Sequence, residues 1–330
     1  MSVVAECLSS LKLGEPQTHL NLQLFPLIGG DAGEPAYRLL DEAQAQGTAH
    51  VTEVSESGSV PELKFVNEGD LPVLLLDGEE LVGAKQNRIL NLTVLAPAHK
   101  TIVIPVSCVE AGRWRAESRE FRSAGRAHYA EGRARKAADV SMFMSAHGEA
   151  RSDQSEVWRG ISEKAARLQS HSDTDAAEAM YHAHRARLDE FLGAFSSVDN
   201  QTGALFAING QVIGLDLFDS PSTLASLLPK LVESYALDAI DAQREPAGST
   251  GAPDAQGLLE GVGQARTEAF PAVGEGRDLR LHGENLAGGA LITDAKVIHL
   301  CAFRIGGDRG EEAGPRSRFV RASQRRRVWS

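Results

Sequence analysis

A short stretch of the chain, residues 77–114, holds most of the side chains that could carry out chemistry. It includes two adjacent carboxylates, Glu79 and Glu80, which could act as general acid and base or hold a divalent cation. Neighbouring side chains on a strand face opposite sides, so both carboxylates reach one site only if the Asp77-Gly78 turn still bends the chain there. The alternative is that both are exposed turn residues, because charged side chains mostly lie at the surface.

Four donor-rich side chains follow directly after the small residues Gly83 and Ala84. They are Lys85, Gln86, Asn87 and Arg88. Such donors suit a phosphate or carboxylate, with the arginine bidentate and the lysine as a point charge. Asn91 shares a strand face with Lys85 and Asn87 inside an apolar frame, where an unpaired polar group would be costly. We predict a binding role for this run, and the alternative is a solvated β-turn.

A thiol, a carboxylate and an Arg-Trp pair complete the stretch. Cys108 ends an apolar strand, where a free cysteine is usually a small buried hydrophobe. A nucleophilic role would need a neighbouring base or cation, and Glu110 lies on the same face two residues later. Arg113 and Trp114 could stack on a planar ring or bind an anion, although an arginine packed over a core tryptophan is equally ordinary.

These residues form one candidate site with two sets of roles. The catalytic candidates are Glu79, Glu80, Lys85, Cys108 and Glu110. The ligand-binding candidates are Gln86, Asn87, Arg88, Asn91, Arg113 and Trp114. No metal site is predicted, because His182 and His184 would not face one side of a helix and there is no His-Glu-x-x-His motif. The common phosphate-loop, dinucleotide and hydrolase motifs are absent as well, so the cofactor stays unassigned.

The elements around this stretch have the pattern of strands. Residues 71–76 form an apolar run before the Asp77-Gly78 turn, and residues 88–95 and 102–106 alternate apolar and polar side chains. Connections this short cannot join parallel neighbours, since a parallel crossover needs a dozen or more residues. The pattern therefore predicts an antiparallel meander at the centre of the fold.

Helices are predicted mainly in the rest of the chain. Residues 35–47 and 174–195 have helical patterns, and Asp153 has the spacing of a helix cap before an apolar stripe. Asn209-Gly210 lies between two apolar runs and indicates a tight hairpin. We expect an α+β fold with an antiparallel meander or sandwich-like core, on which helices pack from the middle and C-terminal half.

One domain, residues 1–305, accounts for nearly all of the chain. It would have a β-rich part (1–112), a basic connector (113–151) and a helical and hairpin part (152–305), followed by a disordered Arg-rich tail (306–330). From Arg309 onwards there are seven arginines and two glutamates, a net charge of +5. Since the whole chain has a formal net charge of −11, the other 308 residues carry −16. Nucleic acid is therefore an unlikely partner for the globular part.

We predict a cytoplasmic protein away from membranes. The three cysteines have no disulfide pattern, the N-terminus has no signal-peptide pattern, and no apolar run is long enough to span a bilayer.

Four segments together resemble a known family. They are residues 76–91, residues 104–114, Gln154-x-x-Val157-Trp158 and residues 214–218. The chain is similar, over most of residues 10–305, to the domain family named for its association with ADP-ribosylglycohydrolases and rhodanese-phosphatases. Its motif positions map onto Gly78 and onto the candidate residues above other than Glu80. The resemblance implies a place beside enzymes that handle ADP-ribose and phosphate esters, in a prokaryotic conflict or stress system.

Two functional hypotheses follow. The first is an enzyme acting on a phosphorylated nucleotide-like or ADP-ribose-related small molecule, with Glu79 or Glu80 as acid or base and Lys85 and Arg88 on the anion. The alternative is a non-catalytic module that binds a nucleotide or a partner enzyme of ADP-ribose metabolism, with residues 113–136 as a lid or binding segment. A structural clasp between sheet and helices is the third reading of residues 85–88.

Overall fold

A computed structural model describes residues 2–29, 33–55, 59–114, 118–243, 253–294 and 296–306. The predicted disordered tail lies outside these residues from position 307 onwards. The strands are β1 (Lys12–Leu13), β2 (Gln17–His19), β3 (Leu22–Ile28), β4 (Arg38–Leu39), β5 (Ala49–Glu53), β6 (Glu62–Asn67), β7 (Val73–Leu75), β8 (Glu79–Gly83), β9 (Arg88–Leu90), β10 (Val94–Ala96), β11 (Lys100–Cys108), β12 (Phe121–Ala127), β13 (Gln201–Ile208), β14 (Gln211–Phe218), β15 (Arg266–Pro271), β16 (Arg277–Gly283), β17 (Leu286–Thr293) and β18 (Lys296–Arg304). The helices are α1 (Val3–Ser9), α2 (Leu40–Ala45), α3 (Ala130–His147), α4 (Gln154–Leu168), α5 (Glu178–Ala183), α6 (Arg185–Ala194), α7 (Pro221–Ala242) and α8 (Ala255–Gln264).

A nine-stranded antiparallel sheet forms one part of the core. Its order is β1-β3-β13-β14-β18-β17-β16-β15, with β2 paired to β3. The predicted hairpin joins β13 to β14, and positive φ angles of 50° at Asn209 and 77° at Gly210 give the turn the twist that suits paired strands. The hairpin β17-β18 extends the sheet through eight paired positions.

A small closed barrel, β11-β6-β5-β12-β8-β9, forms the other part. It lies beside a three-stranded sheet of β10, β7 and β4. The segment predicted as one strand over residues 88–95 is two strands, because β9 pairs in the barrel while β10 pairs with β7. Closure removes the open strand edges and gives the barrel an apolar interior that includes Val51, Phe65, Leu81, Leu90 and Val106.

Two of the predicted helices differ from the observed ones. The predicted helix over residues 174–195 is divided into α5 and α6 at His184, whose φ of −111° is not helical. The predicted helix over residues 35–47 is shorter, since β4 comes first and α2 covers six residues. Asp153 does cap α4, and its side chain accepts hydrogen bonds from the backbone N–H groups of Ser155 and Glu156.

Residues 113–151, predicted as a basic connector, include strand β12 and the 18-residue helix α3. Arg133 and Lys136 on α3 are fully buried. The positive charge of this segment therefore belongs in large part to the interior of the fold.

The α+β prediction is confirmed, with the large antiparallel sheet, the barrel, a three-stranded sheet in which β4 and β7 are parallel, and helices that include α1 and α2 near the N-terminus. Within the described ranges, none of the helices has the length and apolar character needed to cross a membrane.

Candidate functional site

Strand alternation places three chemically capable side chains inside one end of the barrel. Glu53 lies two residues after Val51, Arg88 two residues before Leu90, and Cys108 two residues after Val106, and these apolar neighbours belong to the barrel interior. Side chains two positions apart on a strand share a face. Strands β5 and β11 end and β9 begins at the same end, because β5-β6, β6-β11 and β11-β9 are all antiparallel pairs. We call it the arginine end.

The connections at the arginine end carry most of the sequence-predicted site. Residues 84–87 join β8 to β9, and residues 109–120 join β11 to β12. The structure thus brings together Lys85, Gln86, Asn87, Arg88, Cys108, Glu110, Arg113 and Trp114. The first connection depends on Gly83, whose φ is +130° and whose missing Cβ would lie 2.6 Å from the Glu120 carbonyl oxygen.

Arg88 is fully buried, and its guanidinium is held from one side only. Its Nη1 donates to the backbone oxygen of Gln86 at 2.9 Å and to the Gln86 side-chain oxygen at 3.3 Å. Nε and Nη2 are buried and have no hydrogen-bond partner among the described residues. These two nitrogens form one edge of the planar group, the edge that suits two oxygens of a carboxylate or phosphate.

Glu53 presents a second buried group with unused hydrogen-bonding capacity. Both of its carboxylate oxygens are buried, and neither has a partner among the described residues. Burial lowers the pKa of Arg88, while attraction to Cys108 and Glu53 opposes that shift. The guanidinium and the carboxylate are therefore close enough to influence each other without a direct hydrogen bond.

The Cys108 thiol is buried beside Arg88 and is held in place by its neighbours. Its Sγ lies 3.2 Å from both the Gln86 side-chain oxygen and the Glu110 backbone oxygen. Burial raises the pKa of Cys108, although Arg88 favours the anion. The thiol form is thus retained at neutral pH, which makes Cys108 a poor nucleophile.

Helix α4 supports the same position from outside the barrel. The Gln154 side chain accepts from the Cys108 backbone N–H at 2.7 Å and donates to the Cys108 carbonyl at 2.8 Å. The indole N–H of Trp158 is buried near the thiol and favours the ionised form of Cys108. Two residues noted in the Gln154-x-x-Val157-Trp158 segment therefore face Cys108.

Trp114 and Lys85 lie at the outer side of the arginine end. Trp114 is 49% exposed, the Lys85 ammonium lies 5.4 Å from its ring centre, and the Arg88 guanidinium carbon lies 6.0 Å from it. Cations at these distances from an indole face attract its π electrons. An exposed ring beside two cations can also stack on a planar group of a ligand.

Glu110, Arg113 and Asn87 form a clasp rather than an open site. Arg113 donates from Nε to Glu110 at 2.9 Å, from Nη1 to the Ala84 carbonyl at 2.7 Å and from Nη2 to Asn87 at 3.1 Å. Thr174 donates to Glu110 at 2.8 Å. Burial opposes ionisation of Glu110, but the hydrogen bonds from Arg113, Thr174 and Asn87 outweigh it and lower the pKa. Of residues 85–88, Asn87 belongs to this group, and it also donates to Glu178 on α5 at 3.3 Å.

The structure does not bring Glu79, Glu80 and Asn91 to the arginine end. Both glutamates lie at the start of β8, the opposite end of that strand. They are buried rather than exposed: Glu79 pairs with Lys230 at 2.5 Å, and Glu80 accepts two bonds from Arg126, at 2.7 and 3.1 Å. Asn91 follows β9 and donates to the Ala150 carbonyl at 3.0 Å.

Sequence reasoning did not identify an ion network between α3 and the two parts of the core. We call it the α3 network, and its members are Asp77, Thr93, Arg133, Lys136, Asp216 and His299. Arg133 donates to Asp216 at 2.6 and 3.1 Å and to Asp77 at 3.3 Å, while Lys136 lies 2.5 Å from Asp77. The bonded pairs of this network are up to 206 residues apart in sequence, so no local motif marks them.

Two pockets in the described part of the fold lie away from the arginine end. One is a groove of about 590 Å³ beside α3, β16 and β17, with Met142, Arg266 and His282 in its lining, and the other is a small cavity between α3 and α4. In the described ranges, no group of three or more His, Cys, Asp or Glu side chains is placed to hold a metal ion.

Comparison with known families gives a match over most of the chain. Residues 10–303 match the model described as the ARG and Rhodanese-Phosphatase-superfamily-associated Protein domain. No curated protein matches the chain. No solved structure matches it either.

Proposed function

The chain belongs to the family of ARG- and rhodanese-phosphatase-superfamily-associated protein domains, and on that premise we propose that it binds a small phosphorylated, nucleotide-like molecule at the arginine end of its barrel. The family name associates the domain with ADP-ribosylglycohydrolases, so ADP-ribose-related molecules are the first ligands to consider. In this proposal the domain is a binding module that supplies or withholds its ligand for a partner enzyme of ADP-ribose metabolism.

One observation carries the proposal: the buried Nε–Nη2 edge of Arg88 has no partner among the described residues. An unpaired charge in a protein interior destabilises the fold by several kcal/mol. The bonds from Nη1 to Gln86 fix the orientation of the guanidinium, so its other edge is already positioned. A phosphate would accept two charge-assisted hydrogen bonds there without further ordering of the side chain.

The surroundings favour a phosphate that carries an aromatic or sugar group. The exposed Trp114 ring offers a stacking surface near Arg88, and Lys85 adds positive charge over the same ring. Base–aromatic stacking contributes about 1–3 kcal/mol per base in nucleic-acid complexes. A nucleotide-like ligand could therefore place its phosphate on Arg88 and its base on Trp114.

Binding is favoured over catalysis because the predicted catalytic groups are constrained. Glu79 and Glu80 are buried in ion pairs away from Arg88, Glu110 is committed to Arg113, and burial keeps Cys108 protonated. The enzyme hypothesis is the second candidate, and Glu53 is the observation in its favour. Its unpaired carboxylate near Arg88 could accept a proton from a bound substrate or water.

The test is a binding titration by calorimetry with ADP-ribose, NAD, ADP and ribose 5-phosphate, on the full chain and on Arg88→Gln. We expect Arg88→Gln to weaken binding of the preferred ligand by at least about a hundredfold, because two charge-assisted bonds of about 1.5–3 kcal/mol each are lost. Arg122→Gln is the matched control, since it removes the same charge from an exposed side chain at the start of β12.

Equal loss in both variants would mean that net charge and not the Arg88 edge governs binding. Products released from the bound ligand, detected by chromatography after prolonged incubation and abolished by Glu53→Gln, would favour the enzyme instead.

A further inference from the structure

Besides Arg88, the arginine end contains a buried acceptor, and the oxygens of a phosphate dianion cannot satisfy it because they only accept hydrogen bonds. The two carboxylate oxygens of Glu53 are buried and without a partner in the described chain. A carboxylate accepts hydrogen bonds and would repel a phosphate placed beside it. A bare anion on Arg88 would thus leave Glu53 unsatisfied and add a like charge near it.

We propose that Glu53 selects ligands that carry hydroxyl groups next to the phosphate, so that the site recognises a phosphorylated sugar rather than a phosphate alone. The inference rests on the proposed function and deepens it. A sugar hydroxyl donates to the carboxylate while the phosphate oxygens accept from Arg88, and one ligand then satisfies both buried groups.

The barrel geometry supports a shared ligand for the two groups. Glu53 and Arg88 face the same interior at the same end, on strands β5 and β9 that are not neighbours in the barrel order. They influence each other electrostatically but form no direct hydrogen bond. A small molecule that bears both an acceptor and donors is the chemistry that bridges such a pair.

The neighbouring polar groups do not compete for this role. Gln86 is engaged by Arg88 and Cys108 and donates to the Glu110 backbone oxygen at 2.9 Å. Asn87 is engaged by Arg113 and by Glu178. Of the two buried carboxylates described at this end, Glu110 is bonded to Arg113, and Glu53 keeps its acceptors available within the described residues.

The experiment compares ribose 5-phosphate with pentyl phosphate, which has the same number of carbons and the same phosphate but no hydroxyl groups. Binding of both is measured by calorimetry to the full chain, to Glu53→Gln and to Glu62→Gln. Glu62 is the matched control because it is exposed at the start of β6, at the same end of the barrel, so its substitution makes the same change in net charge.

We expect Glu53→Gln to weaken ribose 5-phosphate binding roughly tenfold and to leave pentyl phosphate binding unchanged or tighter, because repulsion of the phosphate is relieved. Glu62→Gln should change neither affinity by more than about twofold. A thermal melt of each variant establishes that the fold is intact.

An equal change in the two affinities of Glu53→Gln would overturn the inference, since Glu53 would then act through its charge alone. The proposed function would survive that result. If the unmodified chain bound neither these phosphates nor the four ligands of the first titration, the proposed function itself would fail and the role of Glu53 with it.

Discussion

The arginine end of the barrel and the α3 network both bury charged side chains, but the charges are partnered differently. In the α3 network Arg133 donates to two carboxylates and Lys136 to a carboxylate and two backbone oxygens. At the arginine end, Arg88 keeps two guanidinium nitrogens and Glu53 keeps two oxygens without partners in the described residues.

This difference separates two uses of a buried charge. A fully hydrogen-bonded network holds elements in one arrangement, and removing one member strands the others. An unpaired buried charge contributes nothing of this kind and lowers stability, so its presence points to a ligand that completes it. We therefore expect substitutions in the α3 network to lower stability more than ligand binding, and substitutions at the arginine end to lower ligand binding more than stability.

The largest effect is expected from Arg133→Met. The substitution leaves Asp216 buried with a charge that Arg133 no longer compensates, and Asp77 loses one of its two cations. The free energy of unfolding should fall by about 3–5 kcal/mol, measured by urea denaturation. Arg122→Met, at an exposed position, should change it by less than about 0.5 kcal/mol. A loss below about 1 kcal/mol in Arg133→Met would remove the basis of the comparison.

The next effect is expected from Glu80→Gln, which tests a residue predicted to be catalytic. Its carboxylate is bidentate with Arg126, but Arg126 also has Glu178 at 3.4 Å, so one partner remains after substitution. We expect the free energy of unfolding to fall by about 2–3 kcal/mol and the ligand affinity to change by less than about twofold. A variant with normal stability and lost binding or turnover would place Glu80 in the site after all.

A smaller effect, with a pH dependence, is expected from His128. Burial first, and then the positive charges of Lys136, Lys164 and Arg133, lower the pKa of His128 to about 3. Since the folded pKa lies below the unfolded value of about 6.5, the unfolded state binds the proton more readily. The stability is therefore fully present above about pH 6.5 and is lost as the pH falls towards 3.

Between pH 6.5 and pH 5 this loss should amount to about 2 kcal/mol in the free energy of unfolding. His128→Gln should flatten the pH dependence over that interval, whereas His171→Gln, at an exposed position, should leave it unchanged. The measurement is urea denaturation at a series of pH values. An unchanged slope in His128→Gln would show that other groups cause the pH dependence.

The contrast between the two regions also explains what could be predicted from sequence. The Asn209-Gly210 hairpin and the Asp153 cap were predicted because a few neighbouring residues determine them. The sequence does not predict helix α3, because Arg133, Lys136 and Ser141 lie on its buried side and interrupt the apolar stripe by which a helix is identified. The buried side of α3 is held by ion pairs to distant residues, so it lacks the apolar periodicity that is visible in a sequence.

The candidate site followed the same rule. Residues 85–88 and 108–114 were predicted together, and the chain does bring them together, because short connections at one end of a barrel are close in space. The sequence around Glu79 and Glu80 does not show their ion-pair partners, because Lys230 and Arg126 are 151 and 46 residues away. The two carboxylates therefore look available for catalysis when only the sequence is considered. The sequence does not identify Glu53, because a single glutamate at a strand end carries no motif.

The smallest effect on stability is expected from Arg88→Met. The substitution removes hydrogen bonds to backbone and side-chain oxygens of Gln86, but it also removes a buried charge with two unpaired nitrogens. The lost hydrogen bonds and the lost attraction between Arg88 and the Glu53 carboxylate lower stability, whereas removal of the unpaired buried nitrogens raises it. Because these contributions oppose each other, the free energy of unfolding should change by less than about 1 kcal/mol, whereas Arg133→Met loses several. Added ADP-ribose should raise the melting temperature of the unmodified chain and not that of Arg88→Met, because a ligand stabilises only the state that binds it. A loss of stability as large as that of Arg133→Met, in the absence of ligand, would mean that Arg88 serves the fold in the same way as Arg133.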